Sequence, residues 1–286
     1  MPADTVPITS HFSALTPDYG VVLSDVWGVV HNGVAATAEA CDALARFRTQ
    51  GGRVVLITNA PRPRESVIAQ LDHLRVSREA WDDIVSSGDV TRAVLAERAG
   101  QSVFHIGPPR DLPVFHGFDV RFAPLETADY VVCTGLFDDT AETPEDYRSR
   151  LETMLTRRLF MVCGNPDVVV ERGHELVYCA GAIADLYQSM GGEVLYAGKP
   201  YRPIYDLALS RVKGKMPPLN RVLAIGDSLR TDLAGANAVG IDFLFITSGI
   251  HAVDFGTRDD PDAAALQAAF TAAERPPRAV MRKLSW

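Results

Sequence analysis

Three short apolar runs, each ending in small polar residues, constrain this chain more than any other feature of it. They are Val21-Val22-Leu23-Ser24-Asp25-Val26, Arg53-Val54-Val55-Leu56-Ile57-Thr58-Asn59 and Val222-Leu223-Ala224-Ile225-Gly226 running into Asp227-Ser228. Runs of this kind read as buried strands. Between the first two, Ala38, Cys41, Leu44, Ala45 and Phe47 fall at roughly helical spacing over Thr37 to Thr49, with Thr37 as N-cap and Gly51-Gly52 as the stop. After the third, Thr231 to Val239 continues as a helix into Phe243 to Thr247. Strand, helix, strand predicts an α/β fold with a Rossmann-like parallel sheet. Open sheets of that type present ligand-binding groups at the carboxyl ends of their strands, where Asp25, Thr58 and Asp227 stand.

The long stretch between the second and third runs carries its own strands and helices. Ser102 to Gly107, Tyr130 to Gly135 and Phe160 to Cys163 read as strands, and Pro144 to Leu159 as a helix. It is too long for a loop, so it predicts a large α/β domain, 88–181, inserted into a core made of 1–87 and 182–286. Gly181 and Gly191-Gly192 are turn or hinge positions on the way back. Beyond a helix at Asp262 to Glu274, the proline-broken tail to Trp286 is either anchored by that tryptophan or frayed.

With 286 residues, 47% of them apolar and 22% charged, the chain has an ordinary globular balance, and disorder as the overall state is excluded. Its 28 basic and 36 acidic residues give a net charge of −8 with no long basic block, so no nucleic-acid footprint is expected. No run approaches the ~18 apolar residues of a membrane span, and the N-terminus lacks a signal-peptide pattern. The expectation is a cytoplasmic protein without a membrane partner. Cys41, Cys133, Cys163 and Cys179 show no Cys-x-x-Cys pairing and read as reduced core thiols.

Two carboxylates at one rim, Asp25 and Asp227, repel each other unless a cation joins them, and oxygen-only ligands favour Mg²⁺. Gly198-Lys199-Pro200 precedes a helix and Thr58 ends a strand, so a hydroxyl, the Asn59 backbone N–H and the Lys199 ammonium can serve a phosphoryl group. Arg62 and Arg64 are candidates for the rest of an anionic substrate, or are solvated. Each short motif is weak alone. The ordered set is specific: Asp25, Thr58, Lys199, then Gly226-Asp227-Ser228 with Asp232 five residues on.

That set resembles the four motifs of the haloacid dehalogenase (HAD)-like hydrolase superfamily, and the insertion resembles its larger α/β cap. Asp25 to Gly33, Ile57-Thr58-Asn59, Gly164-Asn165-Pro166-Asp167, Gly198-Lys199-Pro200 and Gly226 to Asp232 together are similar to class IIA, the NagD-like, p-nitrophenylphosphatase-type branch. The resemblance implies a Mg²⁺-dependent phosphohydrolase acting on a small phosphorylated metabolite through a phosphoaspartate on Asp25. It further implies Thr58 on the phosphoryl oxygens, Lys199 stabilising nucleophile and phosphate, Asp227 and the Trp27 backbone carbonyl on the metal, and Asp232 supporting it. A homodimer through the cap is among the implied assemblies.

One position departs from the pattern. The residue two after the nucleophile is usually an aspartate that protonates the leaving oxygen and later activates water, and here it is Trp27. An indole does neither, and loss of a general acid or base costs ~10²–10⁴-fold. Three outcomes follow: an activated leaving group such as an acyl phosphate, a donor from elsewhere, or phosphate binding with slow turnover. His31 is the nearest candidate donor, and His105, His116 and His174 of the insertion are others. Trp27 is also a candidate pocket wall that stacks on a substrate ring, or a core residue. Asp167 either caps a turn or lines the entrance. Carbon–halogen hydrolysis also needs no acid, but Lys199 with a metal suits phosphate better than halide.

Overall fold

The structure is a computed structural model describing residues 6–172, 175–249, 255, 262–271 and 273–286. It folds as two compact units, the first comprising Met1–Thr58, Ile68–Val85 and Tyr205–Trp286, the second Asn59–Val67 and Ser86–Ile204. In chain order, β1 (Val21–Asp25), α1 (Ala38–Thr49), β2 (Arg53–Thr58), α2 (Arg64–His73) and β3 (Asp83–Ser86) come first. The elements α3 (Ser87–Glu97), β4 (Ser102–Ile106), β5 (Arg121–Phe122), β6 (Tyr130–Cys133), α4 (Arg148–Thr156), β7 (Met161–Cys163), β8 (Val169–Arg172), β9 (Glu175–Tyr178), α5 (Ala180–Ser189) and β10 (Val194–Tyr196) follow. Last are α6 (Arg202–Ser210), β11 (Val222–Gly226), α7 (Ala234–Val239), β12 (Asp242–Ile246), α8 (Ala263–Thr271) and β13 (Ala279–Met281).

The first unit is built on a six-stranded sheet in the order β13-β12-β11-β1-β2-β3. Every residue of the central strands β1 and β11 is buried, as strands covered on both faces must be, and their pairing is parallel. Each large aliphatic side chain so buried contributes roughly 1.5–3 kcal/mol. That burial holds the strand ends in place whatever charges they carry. Helix α1 adds Ala40, Cys41, Ala43, Leu44 and Phe47 to the core, and Thr37 sits at its N-cap without a side-chain cap bond. The tail is anchored. Its β13 pairs with β12 in parallel, the Phe12 N–H donates to the Ser285 carbonyl at 2.7 Å, and Trp286 meets Phe12 edge to face at 6.2 Å.

The second unit has a five-stranded sheet in the order β10-β7-β6-β4-β5, with parallel pairing throughout, and a separate antiparallel β8-β9 hairpin. Strand alternation divides its core in two. Val131, Cys133, Met161 and Cys163 face one apolar cluster with α4 and α5, while Tyr130, Val132 and Val162 face another with α3. Helix α3 starts at a reciprocal capping box, in which Ser86 Oγ accepts from the Asp89 N–H and Asp89 accepts from the Ser86 N–H.

The expected boundary at 181 falls inside α5. The second unit runs on to Ile204 because β10 joins its sheet beside β7. The helix expected from Pro144 to Leu159 starts as a 3₁₀ turn over Pro144–Tyr147 and ends at Thr156. All four cysteines are buried thiols outside any disulfide. No described helix is long and apolar enough to cross a membrane.

Candidate active site

Strand register brings the acids of the first unit together. Ser24 pairs with Ile225 and Asp25 with Ile57, so Asp25 ends β1 beside Gly226 on one side and Thr58 on the other. Asp227 is the next residue after β11. The chain then enters a π-turn over Leu229–Leu233, where the Ser228 carbonyl accepts from both the Asp232 and Leu233 N–H groups. This wider turn sends Asp232 back toward the strand end, where its carboxylate accepts from the Ser228 N–H at 3.1 Å. Oxygens of Asp25, Asp227 and Asp232 all lie within 4.8 Å of one another, and the three residues are 8%, 5% and 3% exposed.

Two glycines make that approach sterically possible. A Cβ at Gly226 would come within 2.3 Å of the Asp232 Cγ, and one at Gly28, where φ is +82°, within 2.0 Å of Asp227 Oδ2. Any side chain at either position would displace a carboxylate. Asp25 Oδ1 also accepts from the Val26 N–H at 2.7 Å, which orients its carboxylate. Three buried carboxylates this close repel strongly, and a hard divalent cation relieves that repulsion. The donor set is all oxygen and fits Mg²⁺. Thr58, 8% exposed, stands at the same rim.

Asn59, Arg62, Arg64, Asp167 and Lys199 belong to the second unit. Asn59 is 4% exposed, and both ends of its carboxamide are engaged: Nδ2 donates to Asp167 Oδ1 at 2.9 Å and to the Lys199 carbonyl at 3.1 Å, and Oδ1 accepts from the Lys199 N–H at 2.7 Å. Its side chain therefore clamps the Lys199 backbone, with both amide hydrogens committed. Lys199 itself is 4% exposed. Asp167 sits in a turn whose N–H donates to Asn165 Oδ1, and its carbonyl accepts from the Gly181 N–H at the start of α5. Arg64 opens α2, where its N–H donates to Asp89 and its side chain lies 3.9 Å from Glu65. The Arg62 carbonyl accepts from Ser86 Oγ.

Trp27 is exposed, so it is not a core residue. His31 is buried beside it, and burial drives its pKa down to about 4. Its Nδ1 accepts from the Gly33 N–H at 2.9 Å, so the neutral ring holds its proton on Nε2. A neutral imidazole has no imidazolium proton to deliver near pH 7. His105 is likewise held neutral, its pKa lowered to about 4 by burial, and Nε2 contacts Thr134 Oγ1 at 2.9 Å. His116 is exposed, and His174 lies outside the described residues.

Sequence reasoning passed over Asp111. It is buried at the carboxyl rim of the second sheet, and burial raises its carboxyl pKa against the lowering effects of Arg110, Arg62 and a hydrogen bond with Thr134. Thr134-Gly135 directly after an apolar strand was the signal for this rim, the same signal that marked Asp227.

The family model of haloacid dehalogenase-like hydrolases matches residues 22–121, and a second model, of HAD-hydrolase-like proteins, matches 196–281. Among solved structures, a hydrolase of the haloacid dehalogenase-like family from Brucella suis is 44% identical. The match covers 97% of this chain and all of that one, with a TM-score of 0.86. The 5'-nucleotidase YutF of Bacillus subtilis is 25% identical over 84% of this chain and 92% of its own length. The glycerol-3-phosphate phosphatase of Gallus gallus is 25% identical over 84% and 83%.

Proposed function

Because the chain belongs to the haloacid dehalogenase-like hydrolase family, on its NagD-like branch, we propose that it is a Mg²⁺-dependent phosphohydrolase acting on a small phosphorylated metabolite. The observation that carries this reading is the buried cluster of Asp25, Asp227 and Asp232 at the rim of a parallel sheet. Asp25, Asp227 and the Trp27 carbonyl would hold the ion, with Asp232 in support. When bound, Mg²⁺ would neutralise charge on the carboxylates and on the phosphoryl oxygens.

Asp25 is the nucleophile in this proposal. A carboxylate oxygen attacks phosphorus, the bond to the leaving oxygen breaks, and a phosphoaspartate forms that water then hydrolyses. The Thr58 hydroxyl donates to a phosphoryl oxygen. Lys199, from its place in Gly198-Lys199-Pro200, supplies the positive charge that the transferring group requires. Arg62, Arg64 and Asp167 are assigned to the remainder of the substrate, and Asn59 to holding Lys199.

A second reading, phosphate binding with slow turnover, is favoured by one observation: the residue two after Asp25 is Trp27, whose indole supplies no proton to a leaving oxygen. A Mg²⁺-dependent screen against phosphorylated metabolites and acyl phosphates, with Asp25→Asn as control, separates the two. Phosphate release that disappears in the variant supports hydrolysis. Equal turnover in the variant removes Asp25 as nucleophile, and binding of phosphate esters without release from any of them establishes the second reading.

A further inference from the structure

Trp27 is the most exposed of the three tryptophans, at 37%, yet its position is tightly specified. Its ring meets the buried His31 ring edge to face, with centroids 5.1 Å apart and planes at 73°. The far end of the indole lies over Gly33, where a Cβ would stand 2.5 Å from Cη2, and where φ is +86°. His31 is fixed in turn. Its carbonyl accepts from the Gly28 N–H at 2.8 Å, its N–H donates to Val26, and its Nδ1 accepts from Gly33. Asn32 Oδ1 closes the outer turn by accepting from the Val34 and Ala35 N–H groups. A merely solvated indole needs no such seat. His31 and Gly33 hold the ring in advance, so little side-chain entropy remains to be lost on binding.

The loop that carries the seat also meets the acidic cluster. Trp27 is two residues past Asp25, and the next residue, Gly28, has its backbone against the Asp227 carboxylate. We infer that Trp27 is the specificity-determining residue, a preset plate that stacks on a planar leaving group, so that the substrate is an aryl or heteroaryl phosphate. This deepens the phosphohydrolase reading and rests on it.

Leaving-group chemistry points the same way. With no acid at residue 27, the bond between phosphorus and the leaving oxygen must break with its electron pair going to that oxygen. An alkoxide is a poor recipient. A phenolic oxygen, with a pKa near ~10 as in tyrosine, is a far better one because the ring delocalises the charge. The Asp25–phosphorus bond forms as that bond breaks. Water then attacks phosphorus and loses a proton to solvent, phosphate and the Asp25 carboxylate are regenerated, and the aryl oxide takes a proton from solvent. One ring thus serves both binding and departure.

The test compares phenyl phosphate and 4-methylumbelliferyl phosphate with acetyl phosphate, which is activated but has no ring, in the parent, Trp27→Phe, Trp27→Leu and Gly33→Ala. Stacking on an aromatic side chain predicts that the ring-to-acetyl ratio of kcat/KM falls about tenfold or more in Trp27→Leu, mainly through KM. The ratio is largely kept in Trp27→Phe and falls in Gly33→Ala, whose new methyl displaces the indole. An unchanged ratio in Trp27→Leu and Gly33→Ala overturns the inference while leaving the phosphohydrolase reading intact. If none of the three phosphates is hydrolysed, the metabolite screen decides the phosphohydrolase reading, and calorimetric binding of phenyl phosphate against acetyl phosphate decides the inference by itself. Tighter ring binding that Trp27→Leu abolishes upholds it, and equal affinity ends it.

Discussion

Both units rest on parallel sheets with buried central strands, yet their carboxyl rims treat acidic groups in opposite ways. In the first, Asp25, Asp227 and Asp232 are gathered against one another. In the second, Asp111 shares a hydrogen bond with Thr134 within electrostatic reach of Arg110 and Arg62, and Asp167 accepts from Asn59. The second rim keeps these two acids apart, each beside its own donor; in the first, Asp25 and Asp232 also accept backbone N–H bonds, from Val26 and Ser228, but three carboxylates share one place. The first concentrates like charge where burial makes repulsion strongest, an arrangement that lowers stability and that a bound cation relieves. Shared architecture therefore does not locate the chemistry; the charge placed at the strand ends does.

The largest expected effect tests the first rim directly. Asp25→Asn should lower Mg²⁺-dependent phosphate release by at least ~10⁴-fold while the circular dichroism spectrum is kept. Retained activity would put the nucleophile elsewhere. The second rim is tested by Asn59→Ala, which removes one hydrogen bond from the buried Lys199 N–H and one from the Asp167 carboxylate. Urea unfolding should show a loss of about 2–3 kcal/mol, and a loss within error of zero would mean the clamp is incidental.

Acid should weaken both units through their buried histidines. His31 and His105 have folded pKa values near 4, below the ordinary 6.5, so the unfolded chain takes up protons first as pH falls. The stability of the neutral rings is complete above pH 6.5 and is lost between 6.5 and 4, by an amount on the order of 3 kcal/mol for the nearly inaccessible His31. His31→Gln should flatten its share of the decline between pH 7 and 5. An identical decline in parent and variant would remove His31 from the acid response.

The smallest effect separates repulsion from simple burial. In the presence of a chelator, Asp227→Asn should raise the melting temperature by about 2–4 °C, corresponding to ~1 kcal/mol. Added Mg²⁺ should then raise the melting temperature of the parent but not of the variant. A metal-free variant less stable than the parent would show that the three acids do not strain the fold.

The strands β1, β2 and β11, helix α1 and the α/β class were legible because each is written in a local pattern, a continuous apolar run or a helical period closed by glycines. Residues at the strand ends were legible for the same reason, and so were Asp25, Thr58 and Asp227. Short elements were not. Three residues of β13, behind two prolines, carry too little pattern to reveal a strand that forms only because β12 offers its edge. The return of Asp232 toward Gly226, the bonding of the Asn59 carboxamide to residues more than a hundred positions away, and the seat of Trp27 on His31 and Gly33 were decided by the tertiary structure. Hydrophobic periodicity records which face of an element is buried. Which polar atoms meet, and which are turned against like charges, depends on how distant segments pack, and no window of sequence contains both partners.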